Sequence, residues 1–347
     1  MKPGERGEVQ RCLGSLADGH SLSRAEAHAL FAAIMSGAAT DAQIGAALMA
    51  LRVKGETIDE IAGAAQAMRD CSTKVEVAVP YLVDTCGTGG SGAAKLFNIS
   101  TAAAFVAAAA GAHVAKHGNR AASSRSGSAD VLEAAGVNIA LTPVQIARCI
   151  REVGIGFMLA PAHHSAMRHA IGPRRELGVR TLFNWLGPLT NPAGATAQVI
   201  GVSEPRWQKP LAEVSRALGA RHVLLVHAHG LDEISIAATT HVVELAGDAI
   251  DEYEIAPEDF GFARRPLDGL SAGSVHESLA LVHRSLREPD SAAAQIVALN
   301  AGAAIYASGV ATALRHGVTM AEDAIASGLA AERLDELARV SSLMAAT

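Results

Sequence analysis

Between Asp84 and Asp130, residues able to hold an anion recur in four short segments. Gly87, Thr88, Gly89, Gly90, Ser91 and Gly92 follow the apolar run 79–83, as a phosphate loop follows a buried strand. Glycine lets backbone amides approach an oxyanion without obstruction by a Cβ. Asn98, Ser100 and Thr101 then open an alanine-rich stretch that reads as a helix over 101–110, closed by Gly111. Amide donors and hydroxyls gather there at a positive helix end. The run 113–115 reads as a strand delivering Lys116, His117, Asn119 and Arg120. Ser123, Ser124 and Ser128 lie in a second polar loop ahead of a helix over 129–135, which Gly136 closes. A lone Gly-x-Gly-Gly is usually only a tight turn. Two such loops, two helix starts and a basic cluster in order point to one polyanionic ligand.

Asp232 and Glu233 follow the strand expected at 223–227. A loop in that place can aim both carboxylates at one point, where Mg²⁺ would add substrate phosphates and water to few protein oxygens. The bland alternative is a solvated acidic loop. Arg174 stands in the run Gly172-Pro173-Arg174-Arg175-Glu176-Leu177-Gly178. Its planar fork suits a carboxylate, although composition alone reads this run as a charged helix face. His163, His164, His227 and His229 lack the His-Glu-x-x-His spacing of a zinc hydrolase. Cys12, Cys71, Cys86 and Cys149 show no Cys-x-x-Cys pair, so buried reduced thiols are expected. No Ser-His-Asp or Cys-His arrangement is legible in the spacing.

The elements that must position these groups fall into two kinds. Ser23-x-x-Glu26, Thr40-x-x-Gln43 and Thr57-x-x-Glu60 are capping boxes, and apolar residues follow them at helical spacing. Residues 1–76 therefore read as a small helical domain that packs on another body. From Val77 onward strands and helices alternate, which argues a mostly parallel sheet. Thr142-Pro143-Val144-Gln145 opens a helix that runs to Gly154, and strands follow at 157–159, 199–202 and 223–227. The alternation is broken over 160–193. Residues 242–245 and 250–253 flank Gly247-Asp248 as a hairpin, and two long helices are expected at 291–308 and 319–339.

With 347 residues, half of them hydrophobic and 3% aromatic, the chain can build a full core from Ala, Val, Leu and Ile. A net charge of −6 argues against a general nucleic-acid binder. No run is long and apolar enough to span a bilayer, and the first residues lack a signal-peptide pattern, so a cytoplasmic protein is expected.

The GTGG, NIST, KHGN and SSRSGSAD segments, in this order, resemble the anthranilate phosphoribosyltransferases, a family of the nucleoside phosphorylase-like phosphoribosyltransferases. The resemblance covers nearly the whole chain. It implies a fold of class α/β: a small all-helical domain, 1–76 with 164–186, beside a large α/β domain, 77–163 with 187–347, with a mostly parallel central sheet. It implies transfer of a phosphoribosyl group from 5-phosphoribosyl-1-pyrophosphate to anthranilate in tryptophan biosynthesis, by a Mg²⁺-dependent homodimer. Substrate binding would fall to Gly87, Thr88, Gly90, Ser91, Asn98, Ser100, Thr101, Lys116, His117, Asn119, Ser123, Ser124, Ser128 and Arg174. Lys116 and Arg174 would serve catalysis, Lys116 at the leaving pyrophosphate and Arg174 at the anthranilate carboxylate, with Asn119 on the same substrate. Ser100, Asp232 and Glu233 would hold the metal, and His163 and His164 would border the acceptor. The chain departs from the family pattern at Ser91, where aspartate is usual, at Leu96, where threonine is usual, and by one extra residue between Gly90 and Asn98; Lys95 adds a charge nearby. A pyrimidine nucleoside phosphorylase and a non-catalytic nucleic-acid-binding paralogue of the same fold are the alternatives. Arg174, Asn119 and the complete serine segment argue against the first, and the acidic balance with Asp232-Glu233 against the second.

Overall fold

The computed structural model describes residues 3–89, 96–121 and 126–344. The N-terminal part is four helices: α1 (Pro3–Ala17), α2 (Arg24–Met35), α3 (Asp41–Lys54) and α4 (Ile58–Asp70). All three expected capping boxes close reciprocally, each hydroxyl accepting from the amide three residues on. Glu60 does more than cap. Its buried carboxylate also accepts from Leu22 N at 2.9 Å and from Lys54 Nζ at 2.9 Å, which joins three segments at one point.

Seven strands form one sheet: β1 (Leu82–Gly87), β2 (His113–Gly118), β3 (Ile155–Leu159), β4 (Ala197–Gly201), β5 (His222–His227), β6 (Thr240–Ala246) and β7 (Ala249–Ile255). Their order is β3-β2-β1-β4-β5-β6-β7. Pairing is parallel from β3 to β5, and β6 and β7 add the expected hairpin in antiparallel sense. Chain order reverses between β1 and β4. In an open α/β sheet such a reversal leaves a crevice beyond the carboxyl ends of the strands, and ligands bind there.

Between the strands run α5 (Ile99–Ala109), α6 (Ser128–Ala134), α7 (Pro143–Val153), the single turn α8 (Ala160–His163), α9 (Arg168–Leu177), α10 (Phe183–Leu189) and α11 (Gln208–Ala217). The chain ends with α12 (Val275–Arg287), α13 (Ala292–Ser308), α14 (Leu314–Ala326) and α15 (Leu329–Met344). One core joins a sheet face to α5 and α12–α15, and a second joins the opposite face to α1–α4, α10 and α11. Phe183 on α10 meets Phe31 on α2 edge-on with centroids 5.5 Å apart, so the late helices pack into the N-terminal group. With few aromatics, the first core is dominated by alanine and aliphatic residues.

Several local expectations are corrected. The first strand begins at Leu82 and not at Val79, because Pro80 donates no amide and Tyr81 turns the chain at φ 55°. The second strand runs on to Gly118, so Lys116 and His117 lie within it and not in a loop beyond. The helix expected at 319–339 is two helices, broken where Gly328 adopts φ 81°. Residues 275–287 form a helix that the sequence reading passed over. Cys71 is exposed; Cys12 and Cys149 are buried.

Candidate active site

The carboxyl ends of β1, β2 and β4 bring the candidate residues together. Asp84 on β1 is fully buried and accepts from His117 N at 3.1 Å and from Asn191 Nδ2 at 2.8 Å. The same Asn191 amide donates to Ala115 O at 2.8 Å, so the segment after α10 clamps β1 and β2 side by side. Lys116 is buried on β2, and its Nζ donates to Thr85 O at 2.7 Å. Burial lowers its pKa, opposed by the charges of Asp84 and Glu233. Burial raises Asp84 in turn, opposed by Lys116 and by the Asn191 and His117 hydrogen bonds.

Glycine is required where β1 and β4 end in register, at Gly87 opposite Gly201. A Cβ on Gly87 would stand 3.0 Å from Asp232 Oδ2, and one on Gly201 would collide with the Asp232 carbonyl oxygen. The two strand ends are therefore shaped to seat the Asp232-Glu233 loop. His227 secures this turn: its Nδ1 lies 2.7 Å from Val202 O, and its Nε2 accepts from Gly230 N at 3.2 Å. Burial and the neighbouring Asp232 push the Glu233 carboxyl up to about 8, against Lys116 and the backbone of Ser100.

Asn98 precedes α5, yet its side chain is engaged elsewhere. Its Oδ1 accepts from Ser126 Oγ at 2.9 Å and from Ser278 Oγ at 2.7 Å, tying the helix start to the second loop and to α12. Ser100 accepts at its carbonyl from Thr85 Oγ1 at 3.0 Å, and Thr101 is buried with no partner at its hydroxyl among the described residues. The second loop is closed by Asp130, which accepts from Ala121 N at 2.9 Å and Gly127 N at 3.0 Å. Arg120 pairs with Asp130 and Glu133 and is not a ligand-facing cation. Ser128 Oγ donates to Asn119 O at 3.3 Å. Gly90, Ser91, Lys95, Ser123 and Ser124 lie outside the described residues, whereas Leu96 forms a β-bridge with Ser271.

Beside these strand ends opens a cavity of ≈ 280 Å³, lined among others by His117, Asn119, His164, Arg168, Arg174 and Phe183. The Arg174 guanidinium lies 4.9 Å from the Phe183 ring centroid, and burial lowers its pKa. Among the described residues no carboxylate pairs with it. His117 and His164 face each other with ring centroids 5.1 Å apart. Burial, with His164 and His163 nearby, pushes His117 down to about 3; burial, with His163 and Lys74 nearby, pushes His164 down to about 4, so both are neutral at pH 7. Among the described residues the cavity thus offers two guanidinium groups without a carboxylate partner, Arg168 and the more deeply buried Arg174, with an aromatic wall and two neutral imidazoles, a setting suited to a small aromatic carboxylate. His163 sits apart, its Nδ1 2.8 Å from Thr73 O.

Sequence reasoning overlooked Asp84, Asn191, Gly201 and Arg180. Asp84 carried a signal, a carboxylate inside an apolar strand, and buried charges demand partners.

Residues 79–331 match the glycosyl transferase family α/β domain, and residues 10–72 its helical bundle domain. An anthranilate phosphoribosyltransferase of Cellvibrio japonicus is 58% identical over 95% of this chain and 98% of its own. One from Teredinibacter turnerae is 57% identical over 95% of this chain and 98% of its own. Among solved structures, the Thermus thermophilus anthranilate phosphoribosyltransferase superposes with a TM-score of 0.91 at 44% identity, covering 95% of this chain and 99% of that one. The Saccharomyces cerevisiae enzyme in complex with PRPP and Mg gives 0.86 at 25% identity over 99% of both chains.

Proposed function

The chain belongs to the anthranilate phosphoribosyltransferase family, and we infer that it makes N-(5-phosphoribosyl)anthranilate and pyrophosphate from anthranilate and 5-phosphoribosyl-1-pyrophosphate. The observation that carries this reading is the unpaired Arg174 guanidinium in a cavity that opens beside the strand ends bearing Lys116 and the glycine loop.

The donor lies across the carboxyl ends of β1, β2 and β4, with its phosphates toward Gly87, Thr88, the start of α5 and the second loop. Anthranilate occupies the cavity, its carboxylate on Arg174 and its ring near Phe183 and His117. The C1′–oxygen bond to pyrophosphate breaks as positive charge develops at C1′. The neutral arylamine forms the new N–C1′ bond from the opposite face and then yields a proton to water. No covalent enzyme intermediate is needed, so catalysis rests on alignment and on fixed charge. Lys116 contributes positive potential behind the loop. With His117 and His164 neutral, the cavity's cations are its arginines, and Arg174, over the Phe183 ring, is the one assigned to the acceptor carboxylate.

Ser100, Asp232 and Glu233 supply hard oxygen donors of the kind Mg²⁺ takes, and Glu233 is raised by burial first and by the neighbouring Asp232 second, so a cation there would favour its charged form. Mg²⁺ bound there supplies charge neutralisation to the departing pyrophosphate. The Saccharomyces cerevisiae relative solved in complex with PRPP and Mg supports the use of Mg²⁺. The proposal extends to a helical unit, 1–76 with 164–186, an α/β unit of the remaining residues, and a cytoplasmic homodimer joined through the helical unit. No described helix is long and apolar enough to cross a membrane. Sedimentation of the purified chain at twice the monomer mass would support the dimer, and a monomer would refute it.

Replacing Arg174 by Ala is expected to raise KM for anthranilate by roughly ten- to a hundredfold, the cost of a lost charge-assisted bond, and to leave the donor KM nearly unchanged. Steady-state kinetics with each substrate varied would check it. An unchanged anthranilate KM would move the carboxylate site to Arg168, the other arginine in the cavity wall.

A further inference from the structure

Arg180 lies between α9, which carries Arg174, and α10, which carries Phe183. It nevertheless reaches out of the acceptor side to the glycine loop. Its Nη1 donates to Gly89 O at 2.8 Å and its Nη2 to Thr88 O at 3.4 Å. The guanidinium lies 5.0 Å from the Trp185 ring centroid, and Trp185 is itself buried against Trp207 with centroids 4.8 Å apart. Glu204 Oε1 stands 3.7 Å from Nε. The arginine plane is thus held by a rigid aromatic platform and by an anion at its rear, with both terminal nitrogens turned to the loop.

From the opposite side the loop is fixed to the end of β4. Thr88 N donates to Gly201 O at 2.8 Å, and Ser203 N donates to Thr88 Oγ1 at 3.2 Å. Gly89, at φ 65°, has a backbone that few other residues adopt. An anion-binding loop must present amides and keep its carbonyl lone pairs away from the ligand. In a trans peptide the carbonyl and the following amide point in opposite directions, so a carbonyl held toward Arg180 turns the next amide away from it.

We propose that Arg180 is a positioning residue for the phosphoribosyl donor: it captures the Thr88 and Gly89 carbonyls and thereby sets which way the Gly89 amide, between them, is turned. The inference rests on the reading that this loop holds the donor. It assigns to Arg180 a task that lysine performs poorly, because an ammonium has no planar fork that can lie against Trp185 while its terminal nitrogens reach two separate carbonyls.

The test uses the full chain with Arg180→Gln and Arg180→Lys. Donor affinity is measured by calorimetric titration of 5-phosphoribosyl-1-pyrophosphate with Mg²⁺, alongside KM for both substrates and Tm. Donor affinity is expected to fall roughly tenfold in Arg180→Gln and to recover only in part in Arg180→Lys, while KM for anthranilate changes by less than about twofold. Because Trp185 and Trp207 are the two tryptophans of the chain, the fluorescence response to donor should also shrink in both variants. Unchanged donor affinity in a folded Arg180→Gln protein would overturn the inference, as would a lowered Tm with both substrate constants unaltered, which would mark Arg180 as packing alone. Wild-type protein that binds no donor would contradict the parent reading and the inference together; wild-type binding with unaltered variants contradicts the inference alone.

Discussion

Asp232→Asn combined with Glu233→Gln is expected to abolish Mg²⁺-dependent turnover while the protein stays folded. The amides preserve the volume that Gly87 and Gly201 leave for this loop, so packing is retained. What disappears is the negative charge that would hold a cation against the leaving pyrophosphate. Electrostatic stabilisation of that kind contributes several kcal/mol, so the fall in kcat/KM should be on the order of a thousandfold or more. Folding should not suffer, because neutralising both groups removes the cost of burying the Glu233 charge and its repulsion by Asp232, which together push Glu233 up to about 8. Turnover measured across a Mg²⁺ titration, with circular dichroism as the folding control, would decide. Full activity in the double variant would remove the metal from this loop.

Gly201→Ala is expected to cost about a hundredfold in kcat, through displacement and without loss of any functional group. The added methyl would collide with the Asp232 carbonyl oxygen and stand 3.1 Å from Asp232 Cβ. A backbone oxygen cannot swing aside as a side chain does, so the acidic loop or the end of β4 must shift. The shift would carry Asp232 and Glu233 with it and disturb the Thr88 amide, which donates to Gly201 O at 2.8 Å. Gly45→Ala is the matched control: on α3, with nothing within 4 Å of its new methyl, it should leave kcat unaltered and tend to stabilise the helix. Near-normal kcat in Gly201→Ala would show that the loop tolerates movement and that its placement matters less than argued here.

The features legible in the sequence were those whose physics is local. A capping box is complete within four residues, and the three N-terminal ones form as written. The hairpin over β6 and β7 was announced by its turn, and the parallel part of the sheet by alternation. What the sequence left hidden depends on partners far along the chain. Lys116 could be named as a cation, but its burial on β2 beside Asp84, and the clamp from Asn191, need the assembled strands. Asn98 looked like a ligand at a helix start, yet Ser278 on α12 occupies its oxygen. Arg180 drew no role from the sequence, because its targets are carbonyls of a loop 91 residues away. Gly201 read as an ordinary strand end, since a glycine's meaning lies in what would meet its missing Cβ.

On the proposed function, one cleft joins a phosphoribosyl donor at the strand ends to an aromatic carboxylate in the Arg174 cavity. The most direct measurement of this is product formation by the purified chain given 5-phosphoribosyl-1-pyrophosphate, anthranilate and Mg²⁺. The account predicts N-(5-phosphoribosyl)anthranilate and pyrophosphate in equal amounts, with no phosphorolysis of thymidine under matched conditions. Folded protein that leaves anthranilate unconsumed, or that cleaves thymidine with phosphate instead, would contradict it.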